Sequence, residues 1–313
     1  MLFKGLFASI YGFLAAINST KVIMIATVMA SVLNIVFNYI LIFGKLGFPA
    51  LGIQGAAIGT LVSQLLGVIY LLLFVVLLKA IKVYKCLNFS RIRWRLVRDI
   101  FTSTYPLIVQ GVVIRAGFLI FESIVGNIGV TYLAVAHIVV TVFYVNEAII
   151  FGFAEGGSIL IGNALGRGDQ NEAIRFVYAM EIIAIFIGLV ISLTIVLLPT
   201  PIIRIFNSEV ETVATASKAL RFFAAFGFIA SMGHPFRIIF NRNGWGRYVL
   251  YSEASTTVFF VIGLTFLLTK ILKIGIFGAW LSYALHLVFF AGLLIIGFIS
   301  RRWLYVKVER STS

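Results

Sequence analysis

One cysteine, Cys86, stands among 313 residues. A lone thiol excludes an intrachain disulfide framework and a thiolate metal cluster. The three histidines, His137, His234 and His286, lie far apart in sequence and show no metal-ligand spacing. Charge is scarce: 12% of residues carry it, and acids number only 11 against 25 lysines and arginines. No nucleophile–base constellation is legible, which argues against an enzyme. Gly166-Arg167-Gly168 looks like part of a phosphate loop, but no Gly-Lys-Ser/Thr follows to hold phosphate and magnesium. It reads as a loop that ends one helix and starts another, and nothing points to ATP use.

What fills the chain is apolar. Hydrophobic residues make up 61%, and the mean hydropathy is +1.10. A soluble domain of this size cannot hide that much apolar surface, so the chain reads as an integral membrane protein. Eight long apolar segments lie at 22–43, 53–79, 101–126, 130–163, 173–198, 212–240, 248–270 and 275–300. Each is long enough to cross a hydrocarbon core of about 30 Å as a helix. Residues 1–17 are apolar but short. They fit the last turns of a helix, with a signal peptide as the lesser reading. The expected fold is all-α and polytopic, with about eight full transmembrane helices plus one partial.

The net charge is +14. The basic residues sit at span ends, which favours membrane topology and contact with anionic lipid over nucleic acid. Lys21, the 79–98 run (Lys79, Lys82, Lys85, Arg91, Arg93, Arg95 and Arg98), Arg167, Arg175, Arg242, Arg247 and the carboxy-terminal Arg301, Arg302, Lys307 and Arg310 fall on one side. Lys45, Arg204, Lys270 and Lys273 fall on the other. The heavier side, with the C-terminus, is expected to be cytoplasmic. Trp94, Val97 and Ile100 follow one another at helical spacing beside the cations, as in an interfacial linker.

The segment at 130–163 is longer than one straight crossing needs, and Gly152, Gly156 and Gly157 are its expected bend points. Pro106 and Pro235 are candidate kinks. A short repeat links the two ends of the chain. Gly52-Ile53-Gln54-Gly55-Ala56 returns as Gly275-Ile276-Phe277-Gly278-Ala279, each time opening a span after a lysine-bearing loop. Paired units of this kind suggest two related halves.

Polar residues inside apolar spans are the candidate functional residues. Asn34 and Asn38 share one helix face, as do Thr60 and Gln64 on the next helix. They line a path for a polar or cationic species, or hydrogen-bond between helices. In the second part of the chain the candidates are Gln110, Arg115, Glu122, His137, Glu147 and Glu155. Arg115 near mid-span calls for an acid, and Glu122, Glu147 or Glu155 are the expected partners in a lock or a switchable pair. His137 reads as a packing histidine. Glu181 and Glu253 read as solvated or snorkelling carboxylates near helix starts.

These residues resemble the multidrug and toxic-compound extrusion (MATE) transporters. The resemblance rests on Asn34-Ile35, Asn38-Tyr39-Ile40-Leu41-Ile42-Phe43-Gly44, Gly47-Phe48-Pro49-Ala50-Leu51-Gly52 and Gly55-Ala56-Ala57-Ile58. It continues through Pro106, Gln110 and Arg115, then Ala136-His137-Ile138, Phe151-Gly152-Phe153 and Gly162-Asn163-Ala164-Leu165-Gly166 with Gly168-Asp169 and Ala173. The resemblance implies a twelve-helix, two-lobe (6+6), inverted V-shaped transporter, here running from the end of helix four through helix twelve. It assigns residues 1–79 to the remainder of the amino-terminal lobe (helices five and six), 80–98 to a basic cytoplasmic linker and 99–313 to the carboxy-terminal lobe. The function implied is efflux of organic cations or amphipathic solutes across the bacterial inner membrane, in antiport with sodium or protons and without a cofactor. Where relatives carry Asn and Asp four apart on helix five, this chain has Asn34 and Asn38; the helix-six threonine matches Thr60. Relatives' helix-seven glutamate and helix-ten aspartate have no clear counterpart, since 212–240 holds no acid. Two other readings stand beside this one. A lipid-linked oligosaccharide flippase of the same superfamily would want several cavity arginines. The other is a truncated membrane protein that does not transport.

Overall fold

The computed structural model describes residues 2–17, 19–77 and 93–305. Most of the basic run expected at 79–98, together with Cys86, Lys307 and Arg310, lies outside the described residues. Among the described residues the ordered elements are all helical. Eight helices are long and apolar enough to cross a membrane. The all-α, polytopic expectation therefore holds. In hydrocarbon every backbone amide must find its partner within its own segment, which a helix does.

The chain divides into two compact units, Met1–Trp94 and Arg95–Ser313. The first contains α1 (Leu2–Ala16), α2 (Thr20–Phe43) and α3 (Ile53–Leu77). Helix α2 stops at Gly44, whose left-handed backbone (φ 65°) turns its amide back onto the Ile40 carbonyl. The buried side of α3 repeats every four residues as Gly55, Gly59, Ser63, Gly67 and Leu71. Small residues at that interval let the α2 backbone come close. A Cβ on Gly55 would lie 2.5 Å from the Leu41 carbonyl oxygen.

The second unit holds α4 (Trp94–Gly126), α5 (Val130–Arg167), α6 (Gln170–Leu197), the short α7 (Pro199–Arg204), α8 (Val210–Arg242), α9 (Gly246–Thr256) and α10 (Ile276–Ile299). The α9 rod continues through π-helical turns at Thr257–Leu264 and Leu267–Ile271. Helix α8 is the centre of this unit and packs on α5, α6, α7, α9 and α10. In its carboxy-terminal half, from Ala230 to Phe240, its buried residues lie on every side, as expected for a helix surrounded by others. The stretch at 162–173 does end one helix and start another. Gly168 (φ 83°) caps α5, and the Asp169 carboxylate accepts from the Glu172 amide to start α6. Helices α5, α4 and α8 run without a break through Gly152, Pro106 and Pro235. The repeat also has a structural counterpart: Gly52 (φ 55°) and Gly275 (φ 73°) both turn the chain into the helix that follows.

Two apolar clusters fill the second unit. One joins Val135, Val139, Leu220, Phe223 and Trp280. The other joins Ile161, Val177, Phe236, Phe240 and Trp303. Along α5, α8 and α10 the chain passes from the first cluster to the second through Glu147, His234 and His286. The ionisable side chains thus lie at mid-height between two apolar layers.

Candidate functional site

In the first unit the four expected residues come together. The Asn34 amide donates to Thr60 Oγ1 (3.2 Å) and to Ser63 Oγ (3.3 Å), and the Asn38 amide donates to Asn34 Oδ1 (3.3 Å). Thr60 and Ser63 pass their own protons back to backbone carbonyls of α3. The network ties α2 to α3. Asn38 Oδ1 is left buried without a partner. Gln64 lines the adjacent groove with Phe7, Thr27, Ser31 and Asn34. Ser63 belongs to the network, although sequence reading did not single it out; it lies three residues after Thr60 on the same face.

In the second unit the polar side chains converge on a cavity of about 80 Å³. Its lining includes Tyr144 and Glu147 from α5, His234 and Arg237 from α8, Glu253 and Thr257 from the α9 rod, and Tyr283 and His286 from α10. Helix α4 contributes only Ile114 and Phe118. His234 Nε2 stands 3.1 Å from Glu147 Oε1. His286 Nε2 stands 3.7 Å from Glu253 Oε1, beyond hydrogen-bond range. Glu253 is 4% exposed, and its Oε2 and His286 Nδ1 are buried without hydrogen-bond partners. Groups of this kind inside a membrane are expensive to keep and mark a path for charge.

Of the expected second-unit residues, Glu147 alone lines this cavity, and the Arg115–glutamate lock is not formed. Arg115 is exposed on α4 and has no carboxylate within ion-pair distance among the described residues. The three glutamates are engaged elsewhere: Glu122 with His137 (3.1 Å), Glu147 with His234, and Glu155 with Arg242. The i, i+7 spacing of Arg115 and Glu122 puts them two turns apart, and His137 on the facing helix is closer. His137 is exposed and has Glu122 as its partner across the helix pair. Gln110, 5% exposed, is a clasp: it exchanges amide hydrogen bonds with Asn241 (3.1 and 3.2 Å) and donates to the Gly246 carbonyl (3.1 Å).

Glu253, which reads in the sequence as a solvated or snorkelling carboxylate, is instead one of the most enclosed acids among the described residues. Glu181 is half-buried, with one carboxylate oxygen enclosed and unpartnered. His234, Arg237, Glu253 and His286 were missed as a site because wide sequence separation hid their convergence. The available signal was the rule that any ionisable residue within an apolar span is suspect, together with the shared faces Tyr144–Glu147, His234–Arg237 and Tyr283–His286, each three apart.

The MatE family model matches residues 106–267, more than half of the chain. The chain is 24% identical over 292 residues to "Probable multidrug resistance protein NorM" of Thermotoga maritima, covering 91% of this chain and 61% of that protein. It is 24% identical over 261 residues to "Multidrug and toxin extrusion protein 2" of Homo sapiens, covering 83% of this chain and 42% of that protein. The chain thus spans about three fifths or less of these relatives' length. Among solved structures, the MATE transporter ClbM in complex with Rb+ superposes with a TM-score of 0.77 at 18% identity, over 96% of this chain and 66% of that one. A multidrug resistance MATE family transporter in an outward-facing conformation gives 0.77 at 20% identity, over 91% and 63%. At such identities the structural likeness speaks for the fold.

Proposed function

Because the chain belongs to the MatE family, we propose that it works as a secondary active efflux transporter. It would expel organic cations or amphipathic compounds in exchange for inward sodium or protons, by alternating access. The observation that carries this reading is the Glu147–His234 and Glu253–His286 cluster, enclosed between two apolar layers at the middle of the second unit. Intramembrane acids of this sort bind a cation on one side and release it on the other when the surrounding helices rearrange. The first-unit network of Asn34, Asn38, Thr60, Ser63 and Gln64 is neutral. It suits solute contact and helix cohesion better than charge transfer.

We assign residues 1–79 to the amino-terminal lobe, 80–98 to the linker and 99–313 to the carboxy-terminal lobe. The membrane is the bacterial inner membrane, with the C-terminus cytoplasmic. A flippase is disfavoured because Arg237 is the one arginine among the residues lining the cavity. The test is uptake of ethidium, a fluorescent organic cation, into everted vesicles containing the chain, with sodium and proton gradients imposed separately. One gradient should drive ethidium movement, and Glu147→Gln should abolish it. An inserted chain that moves ethidium under neither gradient would instead support the non-transporting reading.

A further inference from the structure

A second cavity has no role in the efflux proposed for this chain. It is a cleft of about 1000 Å³, lined by the start of α4, the end of α8 and the start of α9. Four arginines line it: Arg95 and Arg98 of α4, Arg242 of α8 and Arg247 of α9. Asp99 is the one acid in that lining. Glu155 answers Arg242 and Asp99 offsets one more charge, so two of the four positive charges are left without a balance. Arg95 and Arg98 are exposed and have no carboxylate within ion-pair distance among the described residues. Guanidiniums gathered around one cleft repel one another, and an anion seated among them relieves that repulsion.

The cleft is held in shape. Buried Gln110 donates to Asn241 Oδ1 and to the Gly246 carbonyl, and both of these residues belong to the lining. The Arg247 guanidinium lies over the Tyr105 ring, 5.6 Å from its centroid, and this cation–π contact orients it. Guanidinium forks match phosphate oxygens two at a time. The start of α9 adds first-turn amides that have no helical acceptor and favour negative charge. The apolar surroundings decide which phosphate fits. Ile100 and Thr104 line the cleft, and Ile108 follows at the same four-residue interval along α4. Ile100 is 67% exposed and Ile108 57%, and both lie in the membrane-crossing stretch Val97–Gly126. A free phosphate would fill the basic end and leave this row bare. A phospholipid covers both, with its phosphate in the cleft and its acyl chains along the row.

We propose that this cleft binds an anionic phospholipid whose headgroup carries two phosphates, held by Arg95, Arg98 and Arg247. Two phosphates balance the two positive charges that the protein leaves uncompensated. The bound headgroup straps the start of α4 to the ends of α8 and α9, beside the Gln110 clasp.

Lipid binding needs no transport activity, so it is tested on the purified full chain in an uncharged detergent. Native mass spectrometry counts bound lipid as diphosphatidylglycerol, phosphatidylglycerol or phosphatidylcholine with matched acyl chains is added. One diphosphatidylglycerol should be retained per chain, roughly tenfold more tightly than phosphatidylglycerol at equal phosphate, and phosphatidylcholine should not be retained. The double variant Arg95→Gln/Arg98→Gln and the single variant Arg247→Gln should each weaken retention by roughly tenfold or more. Arg175→Gln/Arg302→Gln removes two cations outside the cleft and should leave retention unchanged. Arg95 and Arg98 are exposed, so their double variant should melt like the wild type without added lipid. Diphosphatidylglycerol should then raise the melting temperature of the wild type and not of that variant. Retention that survives the cleft substitutions, or that falls equally in Arg175→Gln/Arg302→Gln, overturns the site. Equal retention of phosphatidylglycerol overturns the two-phosphate assignment. Displacement of the lipid by glycerol 3-phosphate at equal concentration overturns the lipid in favour of a soluble phosphate.

Discussion

At the scale of single residues, what matters is whom each polar group meets. Asn38 Oδ1 is buried against Gly59, where any added Cβ would collide with it. Gly59→Ala is therefore expected to lower stability by about 1–3 kcal/mol, the usual size of an overpacking penalty. Thermal melting in detergent, with Gly12→Ala as a comparison site that has open space around it, measures this. Arg115 gives the opposite expectation. It is exposed and has no carboxylate partner among the described residues. Arg115→Ala should not lower stability, because it strands no carboxylate and removes a guanidinium that is costly to keep inside a span. A drop of several kcal/mol in the same assay would mean that the residue has a partner after all. Glu155 differs again, since removing it strips Arg242 of its counter-charge. Because Arg242 is about half exposed, Glu155→Ala should lower stability by only about 1 kcal/mol.

At the scale of elements, helix α4 is held to the rest of its unit by a polar clasp as well as by apolar packing. Gln110 reaches both Asn241 at the end of α8 and the Gly246 carbonyl at the start of α9. Gln110→Leu would strand these buried partners and cost about 1–3 kcal/mol. The double variant with Asn241→Leu should recover part of that loss, because removing both partners leaves fewer unsatisfied groups. A double-mutant cycle in detergent gives the coupling. The π-helical turns of the α9 rod begin at Thr257, one turn past Glu253. Insertions of this type gather at functional sites, and this one lines the cavity. No residue pattern in 248–270 announced it, since a π-helical turn uses the same apolar residues as an α-helical one.

At the scale of the whole chain, basic residues at the span ends set the orientation we propose. In a Cys86→Ser background, single cysteines replacing Lys21, Arg167 or Arg301 should react with a membrane-impermeant thiol reagent from the cytoplasmic side. Cysteines replacing Lys45 or Lys273 should react from the outside. Labelling of Arg301 from the outside would reverse the proposed topology. The span boundaries were legible to within a few residues because lipid tolerates only long apolar helices, and the loops between them carry the glycines, prolines and charges. The first-unit network was nearly as legible. Its two helices are neighbours in sequence, so a four-residue spacing on each is enough to align Asn34 and Asn38 with Thr60.

The second unit was legible in outline only. Its cavity draws Glu147, His234, Glu253 and His286 from four helices separated by long stretches of chain, and sequence spacing describes one helix at a time. Composition and periodicity determined that this chain spans a membrane, how many times it does so and which faces carry polar groups, because water, lipid and backbone hydrogen bonding act on every segment locally. Tertiary packing alone decided which histidines Glu122, Glu147 and Glu253 meet and that Arg115 has no carboxylate within ion-pair distance among the described residues. Those pairings depend on how helices rotate against one another around α8, and packing that many side chains into one interior settles that rotation.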